Sequence, residues 1–130
     1  MGELPEGCGQ RRLVRAAAFA EGALIDVSVM AAAAGFTSPV AITAGGWRHA
    51  VAWGEAPPAA EQTARLWQVL VVARLVLRSG RPQARFPVVR TAAGGGVGDG
   101  AVSTITLVLH TGLGDAGEPV LTITLAGSHL

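Results

Sequence analysis

The sequence predicts an α+β domain: helices and short strands first, then a C-terminal three-stranded antiparallel meander packed on a long amphipathic helix. Three observations predict it. Between residues 59 and 78 the apolar positions recur at helical spacing. From residue 84 onward they alternate with a period of two. Before and between these regions glycine and proline punctuate the chain at short intervals. Half of the 130 residues are hydrophobic, enough for one domain to bury a core without metal or disulfide.

The elements follow in order. Residues 1–12 hold acids, glycines and Cys8 and are expected to form a flexible segment ahead of a single domain over 13–130. "VRAAAFAE" (14–21) reads as a short helix stopped by Gly22, and "ALIDVS" as an extended step. Ser28 is placed to cap "VMAAAA", with Gly35 as its stop; Asp26 is expected to help that turn. "SPVAIT" (38–43) reads as a strand, and Thr43 as the cap of a helix over 44–53. "GEAPPAA" breaks the chain before the main helix, 59–78. Leu66, Val69, Leu70, Ala73, Val76 and Leu77 form its apolar stripe. Trp67, Val71 and Val72 widen that stripe, which calls for a helix sandwiched in the fold or shared with another subunit. "ARFPVVRT" is a strand that Pro87 confines to an edge or a bulge. After the glycine-rich stretch 92–100, "AVSTITLVLH" and "PVLTITL" alternate strictly, and their threonine-rich face is expected to see water or a partner.

Composition excludes several classes. The net charge of +1 creates no field for nucleic acid. All ten cations are arginine, and arginine is a planar fork suited to phosphate or carboxylate. The most apolar run, "LWQVLVVARLVL", is too short to span a bilayer and contains Gln68 and Arg74. A lone cysteine makes no internal disulfide, which points to a cytoplasmic setting. Walker loop, GxGxxG, CxxC and HExxH patterns are absent, and His49, His110 and His129 are far apart. No catalytic residue, metal or cofactor is therefore expected.

Binding is what remains. Arg81, Arg85 and Arg90 cluster around the first strand of the sheet. Trp47, Trp53, Trp67 or Phe86 can stack a base. "HTGLGDAGEPVLTITL" offers His110 and Asp115 around a glycine turn whose amides can cradle an anion. On residue types alone the plain hairpin is the stronger reading of these glycines, with Asp115 capping the turn.

"RAAAFAEGALIDVSVMAAAAGFTSPVAITAGGW", "RLWQVL" and "GLGDAGEPVLTI" resemble a family of small phage- and plasmid-borne proteins catalogued as a domain of unknown function. The likeness covers roughly residues 15–125. The chain departs from it at Leu13-Val14, where an aromatic and a hydroxyl residue are common, at Gln68, usually an acid, and at Leu113, commonly proline. In size, element order and arginine/Gly-Asp pairing the chain also resembles the phage Thoeris anti-defence sponges. That resemblance implies a homo-oligomer in the host cytoplasm that sequesters a cyclic ADP-ribose-type or cyclic oligonucleotide signal without cleaving it. Arginines and loop amides would hold phosphates, an aromatic the base, and the acid a ribose hydroxyl. The alternative expectation is an inhibitor that binds a host defence complex, such as CRISPR or restriction.

Overall fold

The computed structural model describes residues 15–54, 56–91 and 102–127. Helical backbone over 15–21 (α1) ends at Gly22, whose φ of +81° is the left-handed conformation that helix ends reserve for glycine. There follow β1 (Leu24–Asp26), α2 (Ser28–Ala33), β2 (Val40–Thr43), α3 (Ala44–Ala50), α4 (Ala59–Leu77), β3 (Gln83–Thr91), β4 (Val102–Leu113) and β5 (Pro119–Leu125). The α+β class is observed. The segment 1–12, with Cys8, and the loop 92–100 lie outside the described residues, as does His129.

The expected self-contained three-stranded sheet is corrected. All five strands join one mixed sheet in the order β1-β2-β5-β4-β3. β5 pairs with β4 in the antiparallel sense on one side. On its other side it pairs with β2 in the parallel sense, setting Val40 beside Leu121 and Ile42 beside Ile123. β1 then adds antiparallel to β2. Both segments read as extended, but strands of three and four residues carry too little alternation to show which sheet they join, and β2 shows none because Val40, Ala41 and Ile42 are all buried. β3 is an outer strand, where Pro87 lacks a ladder N–H at little cost.

The core lies between one face of this sheet and α2, α3 and α4. Val40, Ile42, Phe86, Leu107, Leu109 and Ile123 meet Ala31, Ala50, Leu66, Val69, Leu70 and Ala73 there. Burying a side chain of this size stabilises the fold by about 1.5–3 kcal/mol. Two polar knots fix the helices. Thr43 caps α3 by accepting from the Gly46 N–H at 3.1 Å. Arg65 donates to the Val51 and Trp53 carbonyls at 2.9 Å each, pairs with Glu61 and lies 3.8 Å over the Trp53 ring. The guanidinium thereby pins the end of α3 to the start of α4.

Ser28 does not cap α2 as expected. Its hydroxyl bridges to β2, accepting from the Val40 N–H at 3.0 Å and donating to the Val40 carbonyl. Asp26 supplies the missing acceptor, taking the Ser28 N–H at 3.0 Å. The Ser28 hydroxyl first, and then its N–H, hold the Asp26 carboxyl below its ordinary value, with a smaller contribution from the charge of Arg15.

Candidate functional site

The other face of the sheet carries the polar residues. Alternation along each strand places Gln83, Arg85, Val108, His110, Thr122 and Thr124 there, opposite the core residues that flank them. In register, Arg85 lies beside Val108 and Val108 beside Thr124. The next row runs Gln83, His110, Thr122, Ala41 and Asp26 across all five strands. The threonines of β5 face neither water nor a separate partner: Thr122 is 7% and Thr124 1% exposed within the chain itself. Neighbouring side chains cover them: Arg15 donates to the Thr122 hydroxyl at 3.1 Å, and the His110 Nε2 lies 3.1 Å from the Thr124 hydroxyl.

Beside this covered strip the face sinks into a depression of about 400 Å³. Arg81, Gln83, Arg85, Val108, His110 and Thr124 are among the residues that line it. Neither the Arg81 nor the Arg85 guanidinium has a carboxylate or hydrogen-bond partner among the described residues, and both residues are exposed; the Arg81 backbone N–H donates to the Ser79 hydroxyl. Burial pushes the His110 imidazole below its ordinary value, so it is neutral at pH 7 and able to donate one hydrogen bond and accept another. Two planar cationic forks, one amide and one neutral imidazole thus converge on a concave polar surface. Such a surface suits a phosphate-bearing molecule.

The six residues singled out in the sequence separate into distinct places. Arg85 and His110 meet at the depression. Phe86 points the other way, is 1% exposed and belongs to the core, so it presents no ring face to a ligand. Trp47 packs against the same core from α3. Arg90 lies on the helix side of the sheet, where it donates to Ser103 at 3.0 Å and to the His49 carbonyl at 3.2 Å and stands over Trp53. Its bonding capacity is engaged within the fold.

Asp115 has a different role. Its two carboxylate oxygens accept the backbone N–H groups of Arg15, at 3.2 Å, and Ala16, at 2.8 Å. The loop from β4 to β5 therefore latches α1 onto the sheet across about a hundred residues of chain. The loop is built for this. Glu118 accepts the Ala116 N–H at 2.9 Å, and the Gly114 N–H donates to the Glu118 carbonyl at 2.7 Å. A Cβ at Gly114 would collide with the Glu118 carboxylate and fall 2.9 Å from Val120 Cγ1. Gly117 alone of the loop's glycines needs a positive φ, +83°. Gly112 is an ordinary residue of β4, which runs three residues past His110. His110 is thus a mid-strand residue facing a cavity, not the entrance to the loop.

Sequence reading missed Arg15 and Gln83 at this face. The alternation of β3 marks Gln83 as a neighbour of Arg85 on the same side. Nothing local marks Arg15, because its partner Thr122 is 107 positions away.

Among the described residues no three His, Cys, Asp or Glu side chains gather as a metal would require. No described helix is long and apolar enough to cross a membrane. Comparison with protein-family models, with curated proteins and with solved structures finds no match.

Proposed function

We propose that this protein binds a small phosphate-bearing, nucleotide-derived ligand and holds it without cleaving it, as a mobile-element protein that withdraws an immune signal from a host defence system. The observation that carries the reading is the convergence of Arg81, Arg85, Gln83 and His110 on one depression, with both guanidinium groups lacking a carboxylate partner among the described residues. Capture rather than catalysis is supported by the state of the hydroxyl beside the imidazole. Thr124 is 1% exposed and within hydrogen-bond distance of His110, so it orients the ring and is closed to a substrate. Titration calorimetry with ADP-ribose and with a cyclic dinucleotide tests the reading. Binding that falls about 10- to 100-fold in Arg85→Gln, with the ligand recovered chemically intact after denaturation, is the expected result. Absence of heat with both ligands sinks it.

A second reading, binding to a host defence protein, is favoured by one separate observation. Trp67, Val71 and Leu75 form an exposed apolar stripe on α4, beside exposed Val89 on the outer strand β3. Between them runs a groove of about 570 Å³ whose lining includes no carboxylate. Trp67, Val71, Val72, Pro87 and Val88 give it a largely apolar lining, which suits an extended segment with apolar side chains. A host protein retained by the natural chain and lost with Trp67→Glu supports this reading. A dimer in native mass spectrometry that the same substitution splits assigns the groove to a second copy of the chain instead.

A further inference from the structure

The outward side of α4 carries no charge. Ala60, Thr63, Ala64, Trp67, Val71 and Leu75 are exposed and follow one another at steps of one to four residues. They form one continuous strip along the helix, roughly 22 Å long. Gln68, at its margin, is exposed and uncharged as well. The charged residues of α4 are folded back into the chain. Glu61 and Arg65 pair with each other, Arg65 also holds the Val51 and Trp53 carbonyls, and Arg74 donates to the Gly35 carbonyl at 3.1 Å. A helix side that faces water normally carries the charges. Their absence here is the composition of a surface buried between subunits.

The strip is also graded in size. Its first half is small, with Ala60, Thr63 and Ala64; its second half is bulky, with Trp67, Val71 and Leu75. A parallel neighbour of the same kind would set bulk against bulk. An antiparallel one sets bulk against hollow: about a twofold axis near Trp67, Ala60 meets Leu75 and Ala64 meets Val71 of the other copy, and the reverse. We propose that α4 is the interface of a homodimer, packed antiparallel on α4 of a second copy about that axis. The contact is isologous, so one surface supplies both halves of the fit. The small residues let the helices approach to about 8–10 Å. The depression lies on the opposite face of the sheet and stays open in this dimer. The proposal is therefore independent of the ligand reading, and it competes with the second reading for Trp67, Val71 and Leu75.

The test is native mass spectrometry and analytical ultracentrifugation on the full chain, with thermal unfolding to confirm that each variant is folded. The natural chain is expected to be a dimer at micromolar concentration. Val71→Glu would bury a carboxylate at the contact and is expected to weaken it about 100-fold or more, giving a folded monomer. Ala64→Val overfills the pairing and Val71→Ala empties it, each weakening the dimer about tenfold. Combined, they exchange the two sizes, and the double variant is expected to bind more tightly than either single variant. Val29→Glu, at an exposed apolar position on α2, is expected to leave the dimer unchanged. A monomeric natural chain, a dimer that survives Val71→Glu, or one that Val29→Glu splits overturns α4 as the interface and leaves the ligand reading standing. A double variant no tighter than either single variant overturns the antiparallel pairing.

Discussion

The two faces of the sheet are made from the same five strands and do opposite things. The face under α2, α3 and α4 is closed by apolar side chains, and its cations are tied down: Arg65 to two carbonyls and Glu61, Arg90 to Ser103 and His49. The face under Arg15 is polar, and its threonines are buried by an arginine and an imidazole instead of by a hydrophobic layer. Among the described residues no buried side-chain polar atom lacks a partner. What differs is where bonding capacity is left over. On the closed face it is engaged; on the open face two arginines point at a depression with none of it used among the described residues. The lesson is that an arginine's residue type does not mark a binding site. Its unused donors do.

The comparison can be broken most forcefully from the closed face. Phe86→Ala removes a fully buried ring and is expected to cost about 3–5 kcal/mol in urea unfolding. A loss below about 1 kcal/mol would mean that Phe86 is not core and that its ring is available after all. Next comes the loop that joins the faces. Gly114→Ala places a methyl against Glu118 and Val120 and is expected to cost about 1–3 kcal/mol. Asp115→Ala removes the latch and is expected to cost about 1 kcal/mol, as other helix-capping acceptors do. The loss should be local: hydrogen exchange of 15–21 should rise while that of α4 stays as it was. Uniform exchange across both helices would show that Asp115 supports the whole fold and not α1 in particular.

The smallest effects belong to the open face. Arg85→Gln and Arg81→Gln should change stability by less than about 0.5 kcal/mol, since exposed side chains without partners contribute little. Equal losses of stability and binding in these variants would place them among the structural arginines. His110 supplies a pH signature. Its value in the folded protein is lowered by burial, so its contribution to stability is present above the unfolded value of 6.5 and is lost as pH falls below it. Binding of an anion favours the protonated ring, so affinity for a phosphodiester should rise over the same descent. Calorimetry at pH 7.5 and 5.5 should show that rise in the natural chain and lose it in His110→Gln. A flat profile in both removes His110 from the site.

Much of this was legible in the sequence. α4, the edge character of β3 through Pro87 and the Thr43 cap each follow from a local pattern of spacing or side-chain chemistry. The patterns of β3 and β4 likewise mark Arg85 and His110 as residues of their strands. Which side of the sheet Arg90 serves was legible from parity, which grouping it with Arg85 overlooked. It follows Arg85 by five positions, an odd number, and so emerges on the opposite face.

By itself, then, the sequence determined the α+β class, the long helix and the polar-apolar alternation, because these depend on the periodicity of neighbouring residues. Only the tertiary structure decided that β2 docks parallel to β5 and turns three strands into five. It also decided that Asp115 latches a helix instead of lining a pocket, and that Arg15 comes to rest against Thr122. Each of these is a contact between residues about 80 or more positions apart. Such contacts are set by which surfaces bury most apolar area and satisfy most backbone donors together, and no window along the chain contains both partners.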